Sequence, residues 1–254
     1  MLKISGLVIT YNEESNLEDC LKSLKPVVDE IVVVDSFSAD NTEEIAKRFG
    51  ARFIQNRFEG HIQQKNYAVD QAKFDWVLSL DADERLSDEL IAEIKKIKGQ
   101  NPDLGAYKFN RLSNYCGSWI RHCGWYPDTK LRLWNKQIGK WGGVNPHDSV
   151  IIQPSVEVKK LKGDLLHYSF YTVGQHLQQI NKFTTIAAQE SYNRGKKTNF
   201  LLHIVLYPFW LFLKNYILKR GFLDGYFGFI ICINGAFYKY QKYTKLYTLG
   251  KTKN

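Results

Sequence analysis

The apolar run Trp76-Val77-Leu78-Ser79-Leu80 stops abruptly at Asp81-Ala82-Asp83-Glu84. A short apolar run bounded in this way reads as a buried strand whose end presents carboxylates at the rim of a sheet, where open α/β folds bind ligands. Carboxylates crowded at a rim repel one another unless a hard cation joins them, and Mg²⁺ or Mn²⁺ held by such groups also takes phosphate oxygens. The competing reading is a solvated acidic loop leading into a helix that starts at Ser87.

The surrounding hundred residues alternate strand-like and helix-like segments. Leu2–Ile9 reads as a strand, and Leu17, Cys20, Leu21 and Leu24 recur at helical spacing before Pro26. Ile31-Val32-Val33-Val34 is the continuous β-branched run of a strand covered on both faces. Asp40 and Glu43 resemble a helix-start capping pair, Ala51–Gln55 a third strand, Ile62–Ala72 a helix and Trp76–Leu80 a fourth strand. Ser87 caps a further helix with acids in its first turn and lysines in its last. This order predicts an α/β fold built on a largely parallel sheet.

Past Gly105 the pattern changes. Residues 106–170 are rich in Trp, Tyr, Gly and Asn with short alternating pieces, predicting an irregular, site-building region with edge strands. A polar helix over 172–193 follows, then two apolar stretches, Phe200–Leu218 and Gly221–Tyr240. The division expected is 1–105 for nucleotide binding, 106–193 for acceptor binding and catalysis, and 194–254 as a basic apolar appendage.

Charge is concentrated in that appendage. The whole chain carries +9, yet from Ser191 onward eleven Lys/Arg face a single acid, Asp224. Interleaved with aromatic and aliphatic runs, these cations fit an anionic membrane surface better than nucleic acid. Pro208, His203, Asp224 and Asn234 interrupt the stretches and argue against a spanning helix. Helices that cover the catalytic core are the alternative. The 4 cysteines are scattered, and the chain runs from Met1 straight into a strand-like segment, so reduced thiols in the cytoplasm are expected.

Neither G-x-G-x-x-G nor G-x-x-x-x-G-K-[ST] is present, so a nucleotide must be recognised by other means. Three strand ends offer those means: Thr10-Tyr11-Asn12-Glu13, Asp35-Ser36 and Asp81-Ala82-Asp83. In a parallel sheet they lie along one rim.

Those three segments, with Ser38, Asp40 and Thr42 after the second, resemble the motifs of family-2 glycosyltransferases of GT-A fold. The likeness continues through Gly124-Trp125-Tyr126-Pro127-Asp128, Arg132-Leu133-Trp134 and His147-Asp148, and is closest in kind to the lipopolysaccharide core β-1,4-glucosyltransferases. The resemblance implies a mixed GT-A sheet with C-terminal amphipathic helices and an inverting, metal-dependent transfer of a hexose, glucose favoured. The donor would be a UDP-sugar and the acceptor a membrane-associated glycan.

It also implies roles. Thr10, Tyr11, Asn12 and Glu13 would line the base and ribose pocket, Asp35 would accept from the pyrimidine, and Lys65 would approach the diphosphate unless it is a solvated helix lysine. Asp81 would contact ribose or metal and Asp83 would ligate the cation, with His167 either a further ligand or a core histidine. Asp148 or Asp128 would be the base, and Trp125, Arg132 and His147 would line the substrate site. A D-x-D phosphohydrolase and a non-catalytic basic membrane or nucleic-acid-binding protein are the rival readings. The expected location is the cytoplasmic face of the plasma membrane.

Overall fold

The computed structural model describes residues 2–103, 105–144 and 147–251. They fall into two compact units, one within Met1–Arg111 and Asp128–His167, the other within Leu112–Pro127 and Tyr168–Asn254.

The first unit begins with the expected alternation: β1 (Ile4–Thr10), α1 (Leu17–Leu24), β2 (Glu30–Asp35), α2 (Thr42–Arg48), β3 (Arg52–Gln55), α3 (His61–Asp70), β4 (Trp76–Asp81), β5 (Glu84–Leu86) and α4 (Asp88–Gln100). Strands β3, β2, β1 and β4 are mutually parallel neighbours. Val8, Val33, Leu78 and Leu80 pack on α1 and α4, while Leu7, Val32, Val34 and Val77 face Ala68 and Val69 of α3. Burial on both faces is why these strands read as unbroken apolar runs. Ser87 caps α4, its Oγ accepting from Leu90 N at 3.3 Å. The capping pair expected of Asp40 and Glu43 does not form. Asp40 instead accepts from the backbone of Glu14 and Thr42, tying the loops after β1 and β2 together.

The region past Gly105 is far more regular than its composition predicts. It contains β6 (Ala106–Tyr115), β7 (Ser118–Ile120), β8 (Asp128–Asn135), β9 (Gly139–Val144), β10 (His147–Ile152) and β11 (Val158–Phe170). The main sheet runs β3-β2-β1-β4-β8-β6-β11-β5, with β7 on β6, so the parallel half continues into an antiparallel one. This is the mixed sheet that the resemblance implied. Polar side chains in mid-strand, Lys108 and Arg111 among them, obscure the alternation that would have marked β6 and β8. Strands β9 and β10 form a separate antiparallel ribbon.

The second unit is mainly helical. Thr172 and Gln175 form a capping box at the start of α5 (Val173–Asn193). A 19-residue helical run follows over Phe200–Leu218, with α6 (Tyr207–Leu213) between π-helical turns. Pro208 was expected to interrupt it, but the helical run continues through it, α6 following directly on the π-helical turns over Phe200–Leu206. A 3₁₀ turn over Gly221–Asp224 leads into α7 (Gly225–Lys251), which packs along α5 and α6. Both apolar helical segments are long and apolar enough to cross a membrane by length and composition. The polar groups expected to oppose burial in lipid are satisfied within the unit. Asp224 accepts from Arg121 N, His122 N and His122 Nδ1 at 3.1, 2.7 and 2.8 Å. Asn234 Nδ2 lies 3.1 Å from His176 Nδ1, which also meets the Tyr115 hydroxyl at 3.1 Å.

Candidate active site

The carboxyl ends of β1, β2 and β4 share one rim, because the strands are parallel neighbours in register: Thr10 lies opposite Asp35 and Ile9 opposite Asp81. Asp35 is fully buried and organises the loop around it. It accepts from Thr10 Oγ1 at 2.9 Å, from Ser38 N at 2.8 Å and from Ser38 Oγ. Asn12 cross-links the same two loops, its N–H donating to Ser38 Oγ at 2.7 Å and its Oδ1 accepting from Ala39 N at 2.8 Å. Tyr11, 62% exposed, and the exposed Phe37 stand at the ends of β1 and β2. Phe37 holds a left-handed φ of 63°, an uncommon conformation for a bulky residue, secured by the bonds of Ser38 to Asp35. Nothing in the sequence reading singled out Phe37 or the role of Ser38; an aromatic between two serines in the loop after β2 was the available signal.

At the end of β4, Asp81 is held by two cations. Lys65 Nζ lies 2.9 Å from Asp81 Oδ1 and Arg132 Nη2 lies 3.0 Å from Oδ2. Burial pushes the Asp81 carboxyl up, but Lys65 and Arg132 outweigh it and hold the group well below the usual range. Lys65 is only 3% exposed, so it is no solvated helix lysine. Its ammonium also lies 2.8 Å from Asp148 Oδ2 and 4.5 Å from the centre of the Trp141 ring. A reciprocal pair of bonds between the Asn66 amide and the Trp141 backbone fixes α3 against β9 and so sets this geometry. Trp141 is a second residue that sequence reasoning missed.

Glu84 is the structural acid of the run. Fully buried, it accepts from Asp81 N at 3.0 Å and from Arg132 Nη2 at 2.8 Å, with Arg111 Nη1 at 3.5 Å. Asp83 points elsewhere: its Oδ2 lies 3.2 Å from His167 Nε2, since β11 pairs with β5 and sets His167 opposite Glu84. Asp128 is bound by Arg111 Nη2 at 2.7 Å and Lys130 at 3.0 Å. Burial raises its pKa, but these two cations prevail and keep it below the ordinary value.

Asp83 and His167 suit a hard divalent ion. They supply one carboxylate oxygen and one imidazole nitrogen, leaving other positions for phosphate oxygens and water, which is how Mg²⁺ is commonly held beside a nucleotide. Glu13 stands near the same acids. Its pKa is raised first by burial and then by the neighbouring carboxylates of Asp83, Asp40 and Asp81, with Asn16 opposing. Among the described residues no cluster of three or more protein ligands is present, so any ion there depends on its substrate for the rest of its shell.

Beside these groups lies a cavity of about 510 Å³, lined in part by Lys65, Asp81, Lys108, Arg132, Trp141 and Asp148. Thus the structure brings Lys65, Asp81, Arg132 and Asp148 together, with Thr10, Asn12, Glu13 and Asp35 along the rim. Asp128 is close enough to share Arg111 with Glu84. Trp125 belongs to the second unit, where it meets Tyr115 and His176 edge-on. The expectation for the His147 side chain lies outside the described residues; its backbone pairs with Val144.

Known proteins match this chain throughout its length. The profile described as Glycosyl transferase family 2 covers residues 5–155. An uncharacterized glycosyltransferase of Rickettsia typhi is 34% identical over 265 residues, 100% of this chain and 90% of that one. LpsC of Rhizobium meliloti, a lipopolysaccharide core biosynthesis glycosyltransferase, is 27% identical over 97% of this chain and 92% of its own. Among solved structures, S. aureus TarS aligns over 87% of this chain and 45% of its own at 16% identity, with a TM-score of 0.47.

Proposed function

This chain belongs to glycosyl transferase family 2, and we propose that it moves a hexose, with glucose favoured, from a UDP-sugar onto a membrane-associated glycan with inversion. The observation that carries this reading is the shared rim. A crosslinked pair of loops after β1 and β2, a carboxylate–imidazole pair after β4 and a cavity containing Asp148 follow one another in the order of a base, a diphosphate and an acceptor. LpsC supports the choice of lipopolysaccharide core as acceptor class.

In this reading Thr10, Asn12 and Glu13 line the base and ribose pocket and Tyr11 stacks on the uracil, with Phe37 added on the other loop. Asp35 keeps that pocket in shape. Asp83 and His167 would hold Mg²⁺ or Mn²⁺, which would supply positive charge to neutralise the departing diphosphate. Lys65 and Arg132, with Asp81 between them, add fixed positive charge beside it. Asp148 takes the acceptor hydroxyl proton as that oxygen bonds to the anomeric carbon. The bond from that carbon to the diphosphate oxygen breaks, and UDP leaves with the electron pair. One displacement with no covalent nucleophile inverts the centre. Asp148 is preferred to Asp128 because it lines the cavity, whereas Asp128 is clamped between Arg111 and Lys130.

The helical unit is assigned to the membrane surface at the cytoplasmic face. Phe200, Phe209, Trp210, Leu218 and Tyr226 are exposed there, with Lys214, Lys219 and Arg220 between them in sequence. An apolar face flanked by cations suits anionic headgroups.

A donor screen tests the reaction. UDP-glucose or another UDP-hexose should raise the melting temperature with Mn²⁺ or Mg²⁺ and lose that effect in EDTA. Equal shifts with a GDP- or CDP-sugar, or phosphatase activity without transfer, would overturn it.

A further inference from the structure

We propose that the cavity beside Asp148 is an acceptor subsite selective for a sugar bearing an anionic substituent, a phosphate or a carboxylate. This rests on the transfer reaction above and specifies its acceptor.

Sheet order separates this site from the donor's. The base-facing loops follow β2 and β1, β4 comes next, and β8 and β6 lie beyond it. Leu78 of β4 pairs with Leu133 of antiparallel β8, so Asp128–Arg132 run alongside and past the Asp81 end of β4. On the next strand, Lys108 and Arg111 lie opposite Leu131 and Asp128.

Five cationic side chains, Lys65, Lys108, Arg111, Lys130 and Arg132, line the cavity against two carboxylates, Asp81 and Asp148. The nearby acids do not balance them: with Glu84 and Asp128 counted beside Asp81 and Asp148, four carboxylates face five cations. Asp128 serves Arg111 and Lys130, Glu84 serves Arg111 and Arg132, and Asp81 serves Lys65 and Arg132. Among the described residues no carboxylate pairs with Lys108. Two buried donors, Arg132 Nε and Trp141 Nε1, and one buried acceptor, Asp81 Oδ1 (an ion-pair contact of Lys65), have no hydrogen-bond partner among the described residues. A pocket for a neutral sugar has no use for such an excess, since cations withdrawn from water require a counter-charge. Lys65 and Arg132 stand beside Asp81 where the diphosphate would lie. Lys108, which has no carboxylate partner among the described residues, and Lys130, which lies 3.0 Å from Asp128 and shares it with Arg111, are on strands farther from the base pocket and face a second anion. Both sit on strands, so the charge is presented in a fixed place.

Calorimetry on the full chain saturated with UDP and Mn²⁺ tests this, using glucose 6-phosphate, glucuronate and glucose as probes. At least one anionic probe should bind tenfold or more tightly than glucose. The double variant Lys108→Gln, Lys130→Gln should weaken it tenfold or more while the UDP affinity stays within twofold. Preference for glucose 6-phosphate assigns a phosphate, and preference for glucuronate a carboxylate. Glucose binding as tightly as both anions, competition between the anionic probe and UDP, or unchanged affinity in the double variant would overturn the subsite. If UDP itself fails to bind, the donor assignment falls instead, and the same three titrations without UDP still decide the anion subsite.

Discussion

The Lys65 ammonium lies 2.8 Å from Asp148 Oδ2 while also touching Asp81, so one buried cation joins the end of β4 to the ribbon that carries the proposed base. Asp148→Asn keeps a polar partner for Lys65 and removes the proton acceptor. It should bind UDP with Mn²⁺ within about twofold of the parent and lose about 10²–10⁴-fold in transfer rate. Isotope-labelled sugar transfer measures this; near-normal turnover would move the base to Asp128.

Asp83 and Glu84 are adjacent acids with opposite duties. Glu84→Ala removes one of the two carboxylates of buried Arg132 and the acceptor of Asp81 N, and should cost about 3–5 kcal/mol of folding free energy, read by denaturant titration. Asp83→Ala should cost less than about 1 kcal/mol, since its group is partly exposed and, among the described residues, paired with His167 alone. A stable Glu84→Ala protein would refute the structural role.

Loss of metal should have a distinct signature. In Asp83→Ala and His167→Ala the Mn²⁺-dependent part of UDP binding should disappear, leaving a weak affinity that EDTA does not change. An EDTA-sensitive affinity in both variants would place the ion elsewhere.

Burial pulls the His176 pKa from 6.5 down to about 4. Between these values the unfolded chain holds a proton that the folded one lacks, so stability falls as pH drops from about 6.5 to about 4 and is level above. The change attributable to this residue is about 3 kcal/mol at most. Chemical denaturation at several pH values should show the slope, and His176→Gln should flatten it. An unchanged slope in the variant would assign it to other groups.

Flotation with vesicles tests the helical unit. Binding should be strong to phosphatidylglycerol-containing vesicles and weak to neutral ones, falling about tenfold or more in Phe209→Ser, Trp210→Ser. Equal flotation with both compositions would remove the electrostatic part of the assignment.

Much of the parallel half was legible because β-branched runs such as Ile31–Val34 are buried on both faces and end in polar strand tips. The antiparallel half was not. Lys108, Arg111 and Arg132 are strand residues that face charge partners or a cavity, so they break the two-residue rhythm from which a strand is read. The acidic run was recognisable as a candidate site, but the placement of its members was not: that Glu84 is buried while Asp83 meets a histidine depends on β5 pairing with β11, where His167 lies opposite Glu84, more than eighty positions away. Likewise, Lys65 could be read as a diphosphate ligand or a solvated lysine until Trp141 and Asp148 were seen to enclose it.

Asp224 fastens the turn between the two apolar helices to the backbone of Arg121 and His122, just beyond a strand of the main sheet. Threading that turn through hydrocarbon would drag the tethered segment with it. In the proposed membrane docking, a bilayer would therefore meet the protein from one leaflet alone. A tag placed in that turn should share the sidedness of a tag at the N-terminus in a protease-protection assay, whereas two spanning helices would separate them.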